Sequence, residues 1–131
     1  MQITYRHDAP LTVEEAIDLY RRSTLGERRP IDRPDIFAQM LARADLTVTA
    51  WQGERLVGIA RTLTDFAAVA YLADLAVDES LQRQGIGRAL VAETRRHLWP
   101  ECKIVLLAAP KATGYYAKIG FEQHPSAWIL K

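Results

Sequence analysis

The sequence predicts an α/β fold: a mixed sheet with antiparallel strands toward the N-terminus, a central parallel βαβ unit, and flanking helices. Three observations predict it. Leu46, Val48 and Ala50 alternate with Thr47, Thr49 and Trp51, and the turn Gln52–Gly53–Glu54 joins them to residues 56–64, the pattern of a hairpin. Residues 69–77 are apolar on both faces except at Asp74, as in a strand in the middle of a sheet. Residues 82–98 then carry an apolar stripe of Ile86, Leu90, Val91 and Leu98 and lead to another apolar run, 103–108. Strand, helix and strand in that order imply parallel pairing through a right-handed crossover.

The elements follow in order. Residues 2–6 are short and β-like, and Pro10 punctuates them. Thr12 with Glu15 three residues on has the form of a capping box. Val13, Ile17 and Tyr20 continue at helical spacing, so a helix is expected to about Thr24. Residues 25–32 are polar, contain Gly26 and Pro30, and read as a loop. Asp32 is placed to cap a second helix, with Pro34 in its first turn and Ile36, Phe37, Met40 and Leu41 as its apolar face. After residues 65–68, a short connection, come the strand, helix and strand described above; the helix ends before Pro100. Pro110 opens a last helix, which Gly120 ends. Residues 128–130 read as an edge strand, which makes a homodimer through that edge plausible. No repeat or linker divides the chain, so one domain spans residues 1–131.

Composition narrows the function. The 131 residues hold 17 Lys plus Arg against 16 Asp plus Glu, a net charge of +1, which gives no reason to expect nucleic acid or an anionic membrane as partner. The single cysteine, Cys102, beside an apolar run, reads as a packed strand residue. Residues 1–10 lack an apolar core and no run suits a bilayer, so a cytoplasmic location is expected. His7, His97 and His124 fit no metal spacing, and no metal is expected. Arg28 and Arg29 read as a solvated pair.

Two features carry chemistry. The first is Gln82-Arg83-Gln84-Gly85-Ile86-Gly87-Arg88, between a buried strand and a helix. Glycine costs a helix about 1 kcal/mol relative to alanine, so two in a first turn ask for a reason. They can let a ligand approach helix amides that have no internal partner and that favour an anion such as a pyrophosphate. They can equally serve close packing of helix on sheet. A dinucleotide fingerprint would need a third small residue where Leu90 stands, and a P-loop would need Gly-Lys-Ser/Thr. The second feature is Tyr115-Tyr116-Ala117-Lys118-Ile119-Gly120-Phe121. Adjacent tyrosines on a helix point about 100° apart. Tyr116, on the face of Ala112 and Ile119, is either a core aromatic or a proton donor to a leaving thiolate.

Together these two motifs, in this order and with one helix and one strand between them, resemble the GNAT superfamily of N-acetyltransferases. Gln82-x-x-Gly85-x-Gly87 resembles the family's phosphate-binding motif, and Tyr115-Tyr116-x-Lys118-x-Gly120-Phe121 its late motif. The element order is similar across the whole chain. The resemblance implies a GNAT-like fold and acetyl-CoA as acyl donor. It implies that the backbone from Gln82 through Arg83, Gln84, Gly85, Ile86, Gly87 and Arg88 holds the diphosphate. Leu75, Ala76 and Val77 would take the pantetheine arm as an added strand. The Leu75 amide would polarise the thioester carbonyl, Ala112 and Tyr115 would complete the cofactor site, and Tyr116 would protonate the departing thiolate. Ala109 stands where many members carry Asn.

The expected reaction is direct attack by an amine in a ternary complex, on a small molecule or a peptide. Asp74, the one charge in its strand, is a candidate base, or else a partner of an arginine such as Arg61. Substrate choice would fall to residues 25–32, residues 65–68, and Tyr20, Phe66 and Tyr71. A non-catalytic acyl-CoA sensor is the alternative; a toxin acetylating aminoacyl-tRNA is disfavoured by the charge balance.

Overall fold

The computed structural model describes residues 2–131. Five strands form one sheet in sequence order: β1 (Thr4–His7), β2 (Leu46–Gln52), β3 (Arg55–Thr64), β4 (Val69–Val77) and β5 (Lys103–Val105). The first three pairings are antiparallel and β4 with β5 is parallel, giving the mixed sheet expected. Helices α1 (Val13–Arg22) and α2 (Pro34–Arg43) cover one face; α3 (Ile86–Arg96) covers the other. Helix α4 (Thr113–Lys118) follows β5.

Local chemistry explains several boundaries. At α1 the Thr12 hydroxyl accepts from Glu15 N–H and the Glu15 carboxylate accepts from Thr12 N–H, so the capping box forms. Helix α2 begins one residue later than its expected cap: Arg33 is the N-cap and no side chain caps it, while Asp32 bonds none of the first amides. Ile36, assigned to the apolar face, is 40% exposed; Phe37 alone of that helix is fully buried. Helix α3 starts at Ile86, because Arg83 and Gly85 both take left-handed backbone angles, with φ of +67° and +84°. Residues 82–84 are therefore a loop that runs into the helix and not its first turn. The last helix is split: Pro110–Ala112 form one 3-10 turn before α4.

Two expectations at the C-terminal side fail. β5 stops at Val105, three residues short of the expected 103–108. Residues 128–130 pair with no strand and stand exposed, so the edge that suggested a dimer is not formed.

The core lies on both sides of the sheet. On the α3 side Val48, Ala60, Ala70 and Leu72 meet Ile86 and Leu90. On the other side Ile59, Trp51 and Ala76 meet Leu19, Tyr20 and Phe37. Gly58 makes the first contact close: a β-carbon there would sit 3.0 Å from Leu90 Cδ1 and 3.2 Å from Ala50 Cβ.

Strand β4 changes which face its even residues present. Arg61 pairs with Asp74 and Thr62 with Leu72, so Ala73 is an extra residue, a β-bulge. Before it Ala70 and Leu72 face α3; after it Asp74 and Ala76 face α1 and α2. Leu75 and Val77 consequently pack on the α3 side, opposite Asp74, as strand alternation anticipated.

Candidate active site

The early end of β5 creates the cleft. Only Val69, Ala70 and Tyr71 of β4 pair with it, so β4 from Leu72 to Val77 has one open edge. Asp78 N–H donates to Val57 C=O across β3. By the alternation of strand groups, Ala76 also turns its N–H and C=O to β3, and Leu75 and Val77 turn theirs to the open edge. The Gln82 side-chain amide reaches in to donate to Val77 C=O at 3.3 Å.

One end of this edge meets the start of α3. The amides there precede the first intrahelical bond, Ala89 N–H to Gly85 C=O. An added β-carbon on Gly85 would meet nothing within 4 Å, so that approach is open. Gly87 is different. A β-carbon there would collide with the Tyr115 hydroxyl, which lies in the notch the missing side chain leaves and near Val77. The expectation that both glycines bare the backbone is corrected: Gly85 does, and Gly87 is covered by a phenol. Ile86 faces inward and is 3% exposed, so only its backbone is available to a ligand. Arg88 ties α3 to α4 through Lys118 C=O. Ala112 closes the 3-10 turn by bonding Ala109 C=O, which seats α4.

The other end of the edge is built around Asp74, whose side chain is fully buried. Oδ1 accepts from Arg29 Nε, and Oδ2 accepts from both Arg61 Nε and the Tyr20 hydroxyl, each at 2.6 Å. Burial would raise this carboxyl; the hydrogen bond and charge of Arg61, the Tyr20 hydroxyl and the Arg29 charge outweigh it and hold it below the usual range. The Tyr20 phenol is pushed well up by its burial and by the adjacent carboxylate. A carboxylate with three donors and a lowered pKa is a structural anchor. The pairing with Arg61 foreseen as its other role is formed, and three donors occupy both of its oxygens.

Arg29 links this anchor to the open edge. Its Nη1 donates to Arg28 C=O and its Nη2 to Ala73 C=O, the bulge residue. Arg29 is thus not half of a solvated pair, as its sequence context suggested. The Tyr116 ring packs against Tyr115 and Phe121, with centroids 5.3 and 5.6 Å away. Burial raises the Tyr116 phenol and the neighbouring Tyr115 adds to that, while the nearby Arg29 charge opposes them. Tyr116 therefore stays protonated, packed beside the Tyr115 that covers Gly87. A pocket of about 320 Å³ opens at the Arg29 end of the edge, walled by Arg29, Arg61, Leu63, Tyr71, Asp74 and Leu107. Tyr71 lines it as expected; Tyr20 is wholly buried and acts only through Asp74, and Phe66 lies in the turn before β4. Among the described residues no three His, Cys, Asp or Glu side chains gather as a metal would require.

An acetyltransferase (GNAT) domain model matches residues 29–128, which takes in every element of this cleft. The chain belongs to the GNAT family of acetyltransferases. A GNAT acetyltransferase from Streptococcus pneumoniae TIGR4 is similar over 99% of both chains, with 26% identity and a TM-score of 0.79. An aminoglycoside N-acetyltransferase AAC(6')-Iy in complex with CoA superposes over 99% of this chain and 94% of its own, with a TM-score of 0.73; at 18% identity it shares the fold. The GCN5-related N-acetyltransferase 2, chloroplastic, of Arabidopsis thaliana is 37% identical over 76 residues, 56% of this chain and 30% of that one. The matched stretch spans about a third of the length of the curated relatives.

Proposed function

We propose that this GNAT chain is an acetyl-CoA-dependent N-acetyltransferase that moves an acetyl group to a primary amine by direct attack in a ternary complex. The observation that carries the reading is the open edge of β4, with bare helix amides at one end and the arginine-lined pocket at the other. The residues present fit the cofactor. Leu75 and the Val77 N–H face the open edge and suit an extended amide chain, which would displace the Gln82 amide from Val77 C=O as it adds like a strand. The open approach to Gly85 and the first amides of α3, flanked by Arg83 and Arg88, suit a diphosphate. A protein with this fold has been solved in complex with CoA, which supports CoA as the ligand.

Bound acetyl-CoA supplies the acyl group as a thioester. The Leu75 N–H points to the open edge, where a donor stabilises charge developing on a carbonyl oxygen. Tyr116 holds a proton at its hydroxyl because burial raises its pKa; it would give that proton to the leaving thiolate, while the proton lost by the acetylated amine would pass to water and restore the phenol. Tyr115, over Gly87, walls the site on the α3 side. Asp74 positions: it fixes Arg29 and Arg61 at the mouth of the acceptor pocket.

The test is Tyr116→Phe with acetyl-CoA and a panel of amines, following thiol release and product mass. A kcat at least tenfold lower with the KM for acetyl-CoA kept supports the acid role. Unchanged turnover removes it.

A further inference from the structure

The acceptor pocket is strongly positive. Three arginines, Arg28, Arg29 and Arg61, stand against one carboxylate, Asp74, so two positive charges are in excess. That carboxylate is not available to an incoming cation, because its side chain is fully buried and both oxygens already accept from Arg29, Arg61 and Tyr20. The arginines differ. Arg61 is itself buried. Arg29 spends three of its five N–H groups on Asp74, Arg28 C=O and Ala73 C=O, which leaves two, and its side chain is 23% exposed. Arg28 is exposed, and among the described residues no carboxylate lies within ion-pair distance of it.

We propose that the acceptor is a small amine that carries an anionic group, a carboxylate or a phosphate, which Arg28 and the spare N–H groups of Arg29 hold while Leu63, Tyr71 and Leu107 cover its apolar body. This rests on the N-acetyltransferase reading and names its substrate class. Guanidinium groups match both anions with paired donors. A polycationic amine finds the opposite: two excess positive charges and no free acidic side chain to hold its remote ammonium. The bond to Ala73 C=O keeps Arg29 two residues from Leu75, so anion and reacting amine are a short chain apart.

The test uses matched pairs: β-alanine and its carboxamide, 6-aminohexanoate and its carboxamide, phosphoethanolamine and ethanolamine, with spermidine and an aminoglycoside as polycations. Thiol release gives kcat/KM, and thermal midpoints in the presence of CoA report binding without turnover. At least one anionic member is expected to exceed its neutral partner tenfold or more, mainly through KM. The first two pairs against the third tell carboxylate from phosphate. Arg28→Ala is expected to collapse that ratio to below threefold, and Arg28→Lys to restore most of it. Equal kcat/KM for acid and amide, or a polycation as the best acceptor, overturns the proposal. So does a protein that acetyl-CoA stabilises but that no anionic amine stabilises or engages, and in that case the acetyltransferase reading stands. If acetyl-CoA itself raises no midpoint, that reading falls and takes the substrate class with it.

Discussion

Asp74→Asn keeps the shape of a side chain that is 1% exposed and removes the charge that Arg61 and Arg29 both face. Arg61 is then a buried cation without its counter-ion, and such losses cost about 3–5 kcal/mol. Urea denaturation checks this, with an unchanged slope expected for a loss of stability alone. Tyr20→Phe is the milder probe. It removes one of three donors to the same carboxylate and is expected to cost about 1 kcal/mol. A second carboxylate sets the acid limit. Burial favours protonation of Asp78, but Ser80 Oγ and N–H and the Arg22 guanidinium outweigh it and hold its pKa at about 2, below the ordinary 3.8. The folded pKa is the lower one, so its stabilisation is complete above the ordinary value and disappears as pH falls toward 2. Arg22→Gln is expected to shrink the loss across that window, as thermal midpoints at stepped pH would report. How much of this was legible in the sequence differs by group. Asp74 stood out because it is the one charge in an apolar run. Its partnership with Arg29 did not, because the two are 45 positions apart and only the sheet and the 3-10 turn after α1 bring them together.

At the scale of elements, local signals were read well and terminations poorly. The α1 cap and the β2–β3 hairpin depend on residues a few positions apart, and both formed. The start of α3 was read four residues early, because the Gln82–Gln84 loop shares the helix's polarity and only the left-handed turn at Arg83 and Gly85 separates them. The end of β5 was overestimated because an apolar run marks burial, not pairing: Leu106 is packed against the core without a strand partner. The bland account of a helix glycine, close packing, was right in kind and wrong in place. Close approach of α3 to the sheet is provided by Gly58, and Gly87 houses a phenol. Gly58→Ala is therefore expected to cost about 1–3 kcal/mol, since Leu90 and Ala50 must yield. Gly87→Ala should displace Tyr115 instead, visible as a change in tyrosine fluorescence with a smaller loss of stability.

The whole molecule is an open-edged sheet with its interior on both sides and its chemistry where one strand lacks a neighbour. A ligand lying along that edge binds the folded chain only. Acetyl-CoA at a hundred times its Kd is then expected to add about 2.7 kcal/mol, measured as a rise in thermal midpoint. The family and its fold were legible from two short motifs in a set order, which the fold brings together where Tyr115 covers Gly87 and Arg88 reaches Lys118. The positive pocket was not, because its walls come from the turn after α1, from α2, from two adjacent strands and from the segment beyond β5.

The bulge at Ala73 also bears on how such a chain can vary. Pairing Ala73 itself with Arg61, in place of bulging it out, would carry plain alternation through β4 and send Asp74 toward Leu90 and Leu75 toward Phe37. Deleting Ala73 would instead keep both faces, because Leu72 and Asp74 already point to opposite sides of the sheet. Homologous lineages should therefore carry either one residue or none between the partner of Thr62 and the partner of Arg61.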